Sequence, residues 1–295
     1  VVGSREVAPA SGLAVVPAFM GLVRFQHTVF ALPFALAGAL LARMAWPGSG
    51  RMFWILVAMV GARSLAMAIN RLVDAEIDAR NPRTAARELP SGRLTRSQVI
   101  AFSAASLAAL LIAVSQLPPL TWALWPIPVI AFVIYPYTKR FTWACHMFLG
   151  LTIGLAPVGA WIAVTGSFAP AAILLGLGVA TWIAGFDIIY ALLDVEFDRA
   201  SGIRSFPARF GVPAAMSAAK ALHLVTVVLL SAAGFAAGAG IVYQIGVLAC
   251  AVILAYEHLI VAPGDQARVQ AAFGSANMAL AVVYGVFVVA AVTVS

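Results

Sequence analysis

FWILVAMVGARSLAMAINRLVDAEIDAR, residues 53–80, is an apolar run that ends in acid. The run is long enough to cross a bilayer as a helix, and Arg63 is its one charge before residue 70. Asn70, Asp74 and Asp78 then follow four residues apart, which on a helix makes a stripe drifting about 40° per step. Glu76 falls two residues out of phase and belongs on another face. A second stretch, DIIYALLDVEFD at 187–198, repeats the pattern with Asp187, Tyr190, Asp194 and Asp198, again with a glutamate, Glu196, out of phase. Asp74 and Asp194 are 120 positions apart, as are Asp78 and Asp198. These two stretches hold seven of the chain's eleven acidic residues. Carboxylates this dense repel one another and are costly near lipid, so they require a compensating charge. The stripes contain no His or Cys, and oxygen-only donors suit Mg2+, which commonly bridges carboxylates to phosphate oxygens. The expected ligand is a diphosphate.

Composition sets the surroundings of these stripes. The chain of 295 residues is 63% hydrophobic and only 10% charged, with a mean hydropathy of +1.01. A soluble domain carries about a quarter charged residues, so the expectation is a polytopic all-α membrane protein, one domain over 1–295. Nine apolar spans are predicted, at 20–44, 52–74, 98–117, 119–136, 143–164, 169–194, 213–236, 240–260 and 270–293. Turn-forming residues separate them at 46–50, 118–119, 165–167 and 263–264. Pro126 and Pro128 interrupt the fourth. The sequence has no basic segment leading into a short apolar stretch with a cleavage site, so no secretory signal is read at its start. Cys145 and Cys250 read as small buried hydrophobes, without metal-ligand spacing.

The net charge of +7 reflects loop orientation rather than a nucleic-acid partner. Arg80, Arg83, Arg87, Arg93 and Arg96 lie between the second and third spans. Lys139 and Arg140 lie between the fourth and fifth, and Arg199, Arg204 and Arg209 between the sixth and seventh. The opposite loops have Arg43 and Arg51. The rich loops are therefore expected on the cytoplasmic side of the cell membrane, together with both acid stripes. A shift of 120 residues superposes 70–78 on 190–198, and Pro33–Gly38 corresponds to Pro157–Ala160 near the same offset, suggesting a pseudo-repeat of 20–136 and 143–260.

Several cations are placed to meet an anion. Arg71, Arg80, Arg83 and Arg87 interleave or follow the first stripe, Lys139 and Arg140 lie in YPYTKR, and Arg204 follows the second stripe. Arg63 lies inside a span, seven residues before Asn70 and on nearly the same face. Arg24 and His27 open the first span. Each has a plainer reading as well. The loop arginines also serve as topology determinants, Arg24 can snorkel to the interface, Arg63 can pair with Asp187, and His27 can be an interfacial side chain. His146, His223 and His258 read as structural.

In combination these motifs are familiar. N-x-x-x-D-x-x-x-D followed by NPRTAARELPSG, then YPYTKRFT, then D-x-x-Y-A-x-x-D-x-x-x-D followed by GIRSFPARFG, resembles the UbiA superfamily of intramembrane prenyltransferases. The resemblance extends from FQHTVFALPFALAG in the first span to the ninth. Arg71 departs from it, since many members have Asp after that Asn. The resemblance implies nine helices around a cavity open sideways to lipid, and Mg2+-dependent transfer of a prenyl chain from its diphosphate to an acceptor that is usually aromatic. Asn70, Asp74 and Asp78 match the first metal-diphosphate motif, Asp194 and Asp198 the second, and Tyr135 and Lys139 the Y-x-x-x-K element near the diphosphate. Arg63 falls where quinone-pathway members carry an arginine. NPRTAARELPSG and YPYTKRFT look most like the 4-hydroxybenzoate branch, of ubiquinone or menaquinone biosynthesis. GLAPVGAWIAVTG leans toward the relative that prenylates a naphthoate in a menaquinone route.

On this reading two Mg2+ ions on the aspartate pairs, with Lys139 and nearby arginines (Arg80, Arg83, Arg140, Arg204), hold the diphosphate. Arg63 or Arg24 grips the acceptor's carboxylate, and Asp187, or alternatively Tyr190, assists the acceptor. Of the competing classes, a cation-coupled transporter would place its carboxylates at broken helices near the bilayer midplane. Here they end spans and run into arginine-rich loops. A CDP-alcohol phosphotransferase also uses Asp stripes, but its glycine- and arginine-containing motif is absent.

Overall fold

The computed structural model describes residues 12, 15–23 and 28–294. Arg24 and His27 lie outside them. Every regular element is helical among the described residues, and eight helical runs are long and apolar enough to cross a membrane. The described helices at the expected first span are α1 (Val15–Leu22) and α2 (Thr28–Leu41). The 14 described residues of α2 extend about 21 Å.

The next run, α3 (Ser49–Arg80), has 32 residues and is about 48 Å long, so its acid-bearing end extends past the thickness of a hydrocarbon core. Asn81 stops it. Pro82 forces the preceding residue into extended backbone, and Asn81 has φ −88° and ψ 117°. A short loop of turns leads into α4 (Arg96–Ser115), which starts on a reciprocal cap between Thr95 and Gln98. The fourth span breaks into α5 (Pro119–Leu124) and α6 (Pro126–Thr138), where the prolines predicted an interruption. Then come α7 (Cys145–Thr165) and α8 (Pro170–Tyr190).

Beyond α8 the structure corrects the helix-face argument. Residues Ala191–Asp194 form a 3-10 turn, and α9 (Val195–Ser201) follows with Asp194 at φ −117° and ψ 7°. Asp194 and Asp198 therefore do not occupy one face of a regular α-helix. The short α10 (Phe206–Phe210) leads to α11 (Val212–Ala237) and α12 (Gly240–Ile260). The ninth span consists of α13 (Gln266–Ala271), a π turn (Ala272–Ala276) and α14 (Asn277–Val294).

Small residues bring the central helices together backbone to backbone, as in other membrane bundles. A Cβ on Gly38 of α2 would stand 2.2 Å from the Pro157 carbonyl oxygen of α7, and one on Gly150 the same distance from the Ala180 oxygen of α8. The core behind this seam is aromatic, with Phe34 packed on Trp182 and stacked on Tyr284 at 4.6 Å between centroids. Outward faces carry exposed Leu224, Val228, Phe235, Ile241, Leu248 and Leu259, as expected of surfaces solvated by lipid. The chain is an integral membrane protein.

Candidate active site

The ends of α3, α6 and α8, together with the loop after α3, enclose a cavity of about 350 Å³. Both acid stripes line it despite the break at Ala191, as do Arg63, Asn70, Tyr135, Lys139, Asp187 and Tyr190. Its deeper wall is apolar, with Met67, Leu149, Ile153, Ile183 and Phe186.

Here the carboxylates already have cationic partners. Lys139, at the C-terminal cap of α6, donates Nζ to Asp74 Oδ2 at 2.6 Å, and Asn70 donates Nδ2 to the same oxygen at 2.9 Å. Arg87 holds both oxygens of Asp78 at 2.7 Å, and Arg71 approaches that group at 3.8 Å. Arg83 grips Asp194 through Nε at 2.9 Å and through Nη2, and gives Nη1 to the Tyr190 hydroxyl at 2.8 Å. Burial opposes the charge on Arg83, but the bond to Asp194 together with the nearby Tyr190, Asp194 and Asp78 outweighs this and holds its pKa above the ordinary arginine value. Asn81 adds a bond to Asp194 Oδ1 at 2.9 Å, and its own Oδ1 accepts the Arg83 backbone N–H at 3.0 Å. The loop 81–87 is thereby folded back over the cavity, helped by Thr84 bonding to the Asp78 carbonyl oxygen at 2.9 Å.

Asp187 faces the cavity from α8 and meets His146 Nδ1 of α7 at 2.6 Å. The other ring nitrogen of His146 accepts the Phe206 backbone N–H at 3.2 Å, which fixes the imidazole. His146 thus belongs to the cavity wall, beyond the structural role read from the sequence. Cys145 also lines the cavity and is half-buried, unlike Cys250, which is fully buried as expected.

Three sequence candidates lie elsewhere. Arg80 is exposed and bonds the Glu76 carbonyl oxygen at 3.3 Å. Arg140 is exposed, bonds the Val73 carbonyl oxygen at 2.7 Å and covers the Tyr137 ring. Arg204 bonds the Phe141 carbonyl oxygen at 2.9 Å and lines a separate outer depression with Arg199 and Arg209. None of the three lines the central cavity. Glu76 and Glu196 are exposed, as their phase predicts. Arg71 and Arg87, read from the sequence as cations beside the first stripe, line the cavity. Asn81, Thr84, His146, Ser205 and Phe273 carry no such signal in the sequence, yet all line it as well.

Among the described residues no three His, Cys, Asp or Glu side chains converge as a closed metal-ligand set. The donors nonetheless fit Mg2+. They are oxygens supplied in pairs, and Asp74 Oδ1 is buried without a hydrogen-bond partner. Mg2+ takes few protein ligands and fills its remaining positions with water and phosphate. Asn70, Asp74, Asp78, Asp194 and Asp198 are the residues that would hold it.

The helical membrane bundle thus closes on a charged chamber with an apolar wall. Residues 31–283 match the UbiA prenyltransferase family, and the chain belongs to it. It is 31% identical over 245 residues to the 4-hydroxybenzoate octaprenyltransferase of Shewanella sediminis, covering 83% of this chain and 85% of that one. A solved UbiA homologue from Aeropyrum pernix K1, in its apo form, superposes with a TM-score of 0.81 at 30% identity, over 90% of this chain and 97% of the other. A UbiA homologue from Archaeoglobus fulgidus, solved with GPP and Mg2+ bound, shares the fold with a TM-score of 0.64 at 20% identity, covering 92% and 99%.

Proposed function

We propose that this protein transfers a polyprenyl chain from its diphosphate to an aromatic acid such as 4-hydroxybenzoate, with Mg2+, at the cytoplasmic side of the membrane in quinone biosynthesis. The observation that carries this reading is the meeting of both aspartate stripes with Lys139, Arg83 and Arg87 above an apolar wall in one cavity. The names of the relatives agree with it.

The aspartate pairs Asp74/Asp78 and Asp194/Asp198 would hold Mg2+, which would supply charge stabilisation for the departing diphosphate. Lys139, Arg83 and Arg87 lie beside the same carboxylates and are placed to donate to phosphate oxygens as the allylic C–O bond breaks and the electron pair leaves with the diphosphate. The apolar wall around Ile153, Ile183 and Phe186 keeps water from the allylic cation. Arg63, deeper on α3, offers a bidentate donor to the acceptor's carboxylate. A ring carbon then forms the new bond, and Asp187, oriented by His146, takes the ring proton.

The deciding experiment supplies the purified protein with one labelled prenyl diphosphate and, separately, 4-hydroxybenzoate, dihydroxynaphthoate and a naphthoic acid of the alternative menaquinone route. Prenylated 4-hydroxybenzoate as the main product is expected. A naphthoate product instead would reassign the acceptor, and no prenylated product with any of them would overturn the reading.

A further inference from the structure

Behind the cavity, α8, α12 and α14 share buried polar groups that the transfer chemistry leaves unused. Asn277, 1% exposed, donates Nδ2 to Glu257 Oε1 at 2.9 Å and accepts the Trp182 indole N–H on Oδ1 at 2.7 Å. The same amide nitrogen reaches the carbonyl oxygens of Ala272 and Phe273, both at 3.2 Å. Its two hydrogens therefore serve three acceptors. Those carbonyls belong to the π turn Ala272–Ala276, where regular helical bonding is interrupted. The Asn277 side chain therefore adds a tie from α14 to the carbonyl oxygens of this turn, inside an apolar bundle where such polar contacts are not replaced by water. Glu257 is itself 1% exposed, and its second oxygen stands 3.7 Å from His223 Nδ1. Ionisable groups this deep in a membrane bundle are expensive and seldom idle.

The π turn connects this network to the cavity. It carries Phe273, whose ring stacks on Tyr190 with centroids 4.1 Å apart and meets the edge of Phe186 at 5.4 Å. Tyr190 in turn accepts Arg83 Nη1, and Arg83 holds Asp194. A continuous path of contacts thus runs from Glu257 to the second aspartate stripe.

We propose that Asn277 is a positioning residue for prenyl transfer. Braced by Trp182 and Glu257, it holds the π turn so that Phe273 fixes the Tyr190 ring and, through its hydroxyl, the orientation of Arg83. The inference rests on reading the cavity as the transfer site. It goes further by assigning a catalytic consequence to an asparagine that touches no substrate.

The test is a double-mutant cycle on purified protein in lipid nanodiscs, using Asn277→Ala, Phe273→Leu and the pair, with kcat and both KM values per folded enzyme. Each single change is expected to lower kcat about tenfold with KM values within about twofold. The double variant is expected to be no slower than Phe273→Leu alone. A purely structural Asn277 would lower yield and Tm while leaving kcat intact, and that outcome overturns the proposal. Multiplying effects overturn it too, as does full activity in Phe273→Leu. If Asn277→Ala does not fold, Trp182→Phe keeps an aromatic ring at that site while removing the 2.7 Å bond and part of the indole's packing, and must show the same non-additivity with Phe273→Leu. Asp74→Asn runs alongside. Its inactivity upholds the site reading whatever the cycle returns, and its full activity would sink that reading first.

Discussion

Arg83 and Asp194 join parts of the chain 111 residues apart, the guanidinium fork meeting both carboxylate oxygens. The remaining nitrogen, Nη1, donates to the Tyr190 hydroxyl. No single-point cation can reproduce that geometry. Arg83→Lys should therefore recover only part of what Arg83→Ala loses, with Ala lowering kcat/KM about 100-fold and Lys about tenfold. Steady-state kinetics on the two variants decide it. Equal activity of the two would show that charge alone matters.

Asp74→Asn makes a sharper case, because Asp74 carries both the Lys139 bond and a buried oxygen without a partner. Turnover should fall by about 100-fold or more, and excess Mg2+ should not restore it. Removing a negative charge also frees Lys139, so binding of a prenyl diphosphate without metal should be unchanged or tighter. Calorimetry with a non-hydrolysable prenyl diphosphate analogue in EDTA reads this. Full Mg2+-dependent activity would end the metal assignment.

Arg63 lies on α3 two turns before Asn70, with Met67 between them on the cavity wall. Replacing it with Ala should raise the acceptor KM about tenfold and leave the prenyl diphosphate KM within about twofold. Equal rises in both would place Arg63 at the diphosphate instead.

Packing predicts a contrast between two glycines of α7. A Cβ on Gly154 would stand 2.4 Å from the Gly176 carbonyl oxygen, whereas one on Gly159 meets nothing within 4 Å. Gly154→Val should lower the melting temperature in detergent or abolish recovery, and Gly159→Ala should do neither. A stable Gly154→Val protein would show that the α7–α8 seam is looser than its geometry.

Orientation is checked from the loop over the cavity. A cysteine at exposed Ala86, with Cys145 and Cys250 changed to Ser, should react with an impermeant maleimide only from the cytoplasmic side. Labelling from outside alone would invert the topology.

The fold was legible because lipid leaves little freedom. Long apolar runs, the prolines at 118–119 and 126, and the arginine-rich loops mark helices almost directly. The meeting of the two acid stretches in one cavity was legible through spacing, since i, i+4 aspartates ending a span have few other uses. What escaped were groups whose role depends on tertiary contact. His146 sits 41 residues from Asp187, and Phe273 83 residues from Tyr190, distances across which no local pattern reaches. The 3-10 turn at Ala191–Asp194 was hidden too, because Asp194 is drawn to Arg83 and Asn81 from a distant loop. Arg80, Arg140 and Arg204 show the reverse error. Proximity in sequence placed them near the acids, while their side chains found backbone carbonyls outside.

Around the central cavity stand Asp74, Asp78, Asp187, Asp194 and Asp198, faced by Arg63, Arg71, Arg83, Arg87 and Lys139, a matched set of opposite charges. A chamber so balanced discriminates by the overall valence of what enters. A naked diphosphate would leave it strongly anionic in surroundings of low permittivity, whereas the same anion escorted by divalent counterions would leave it close to neutral. On the proposed function, affinity for the prenyl donor would be tied to the supply of free divalent ion. Scarcity of that ion would silence the enzyme at the point of admission, before any bond is strained.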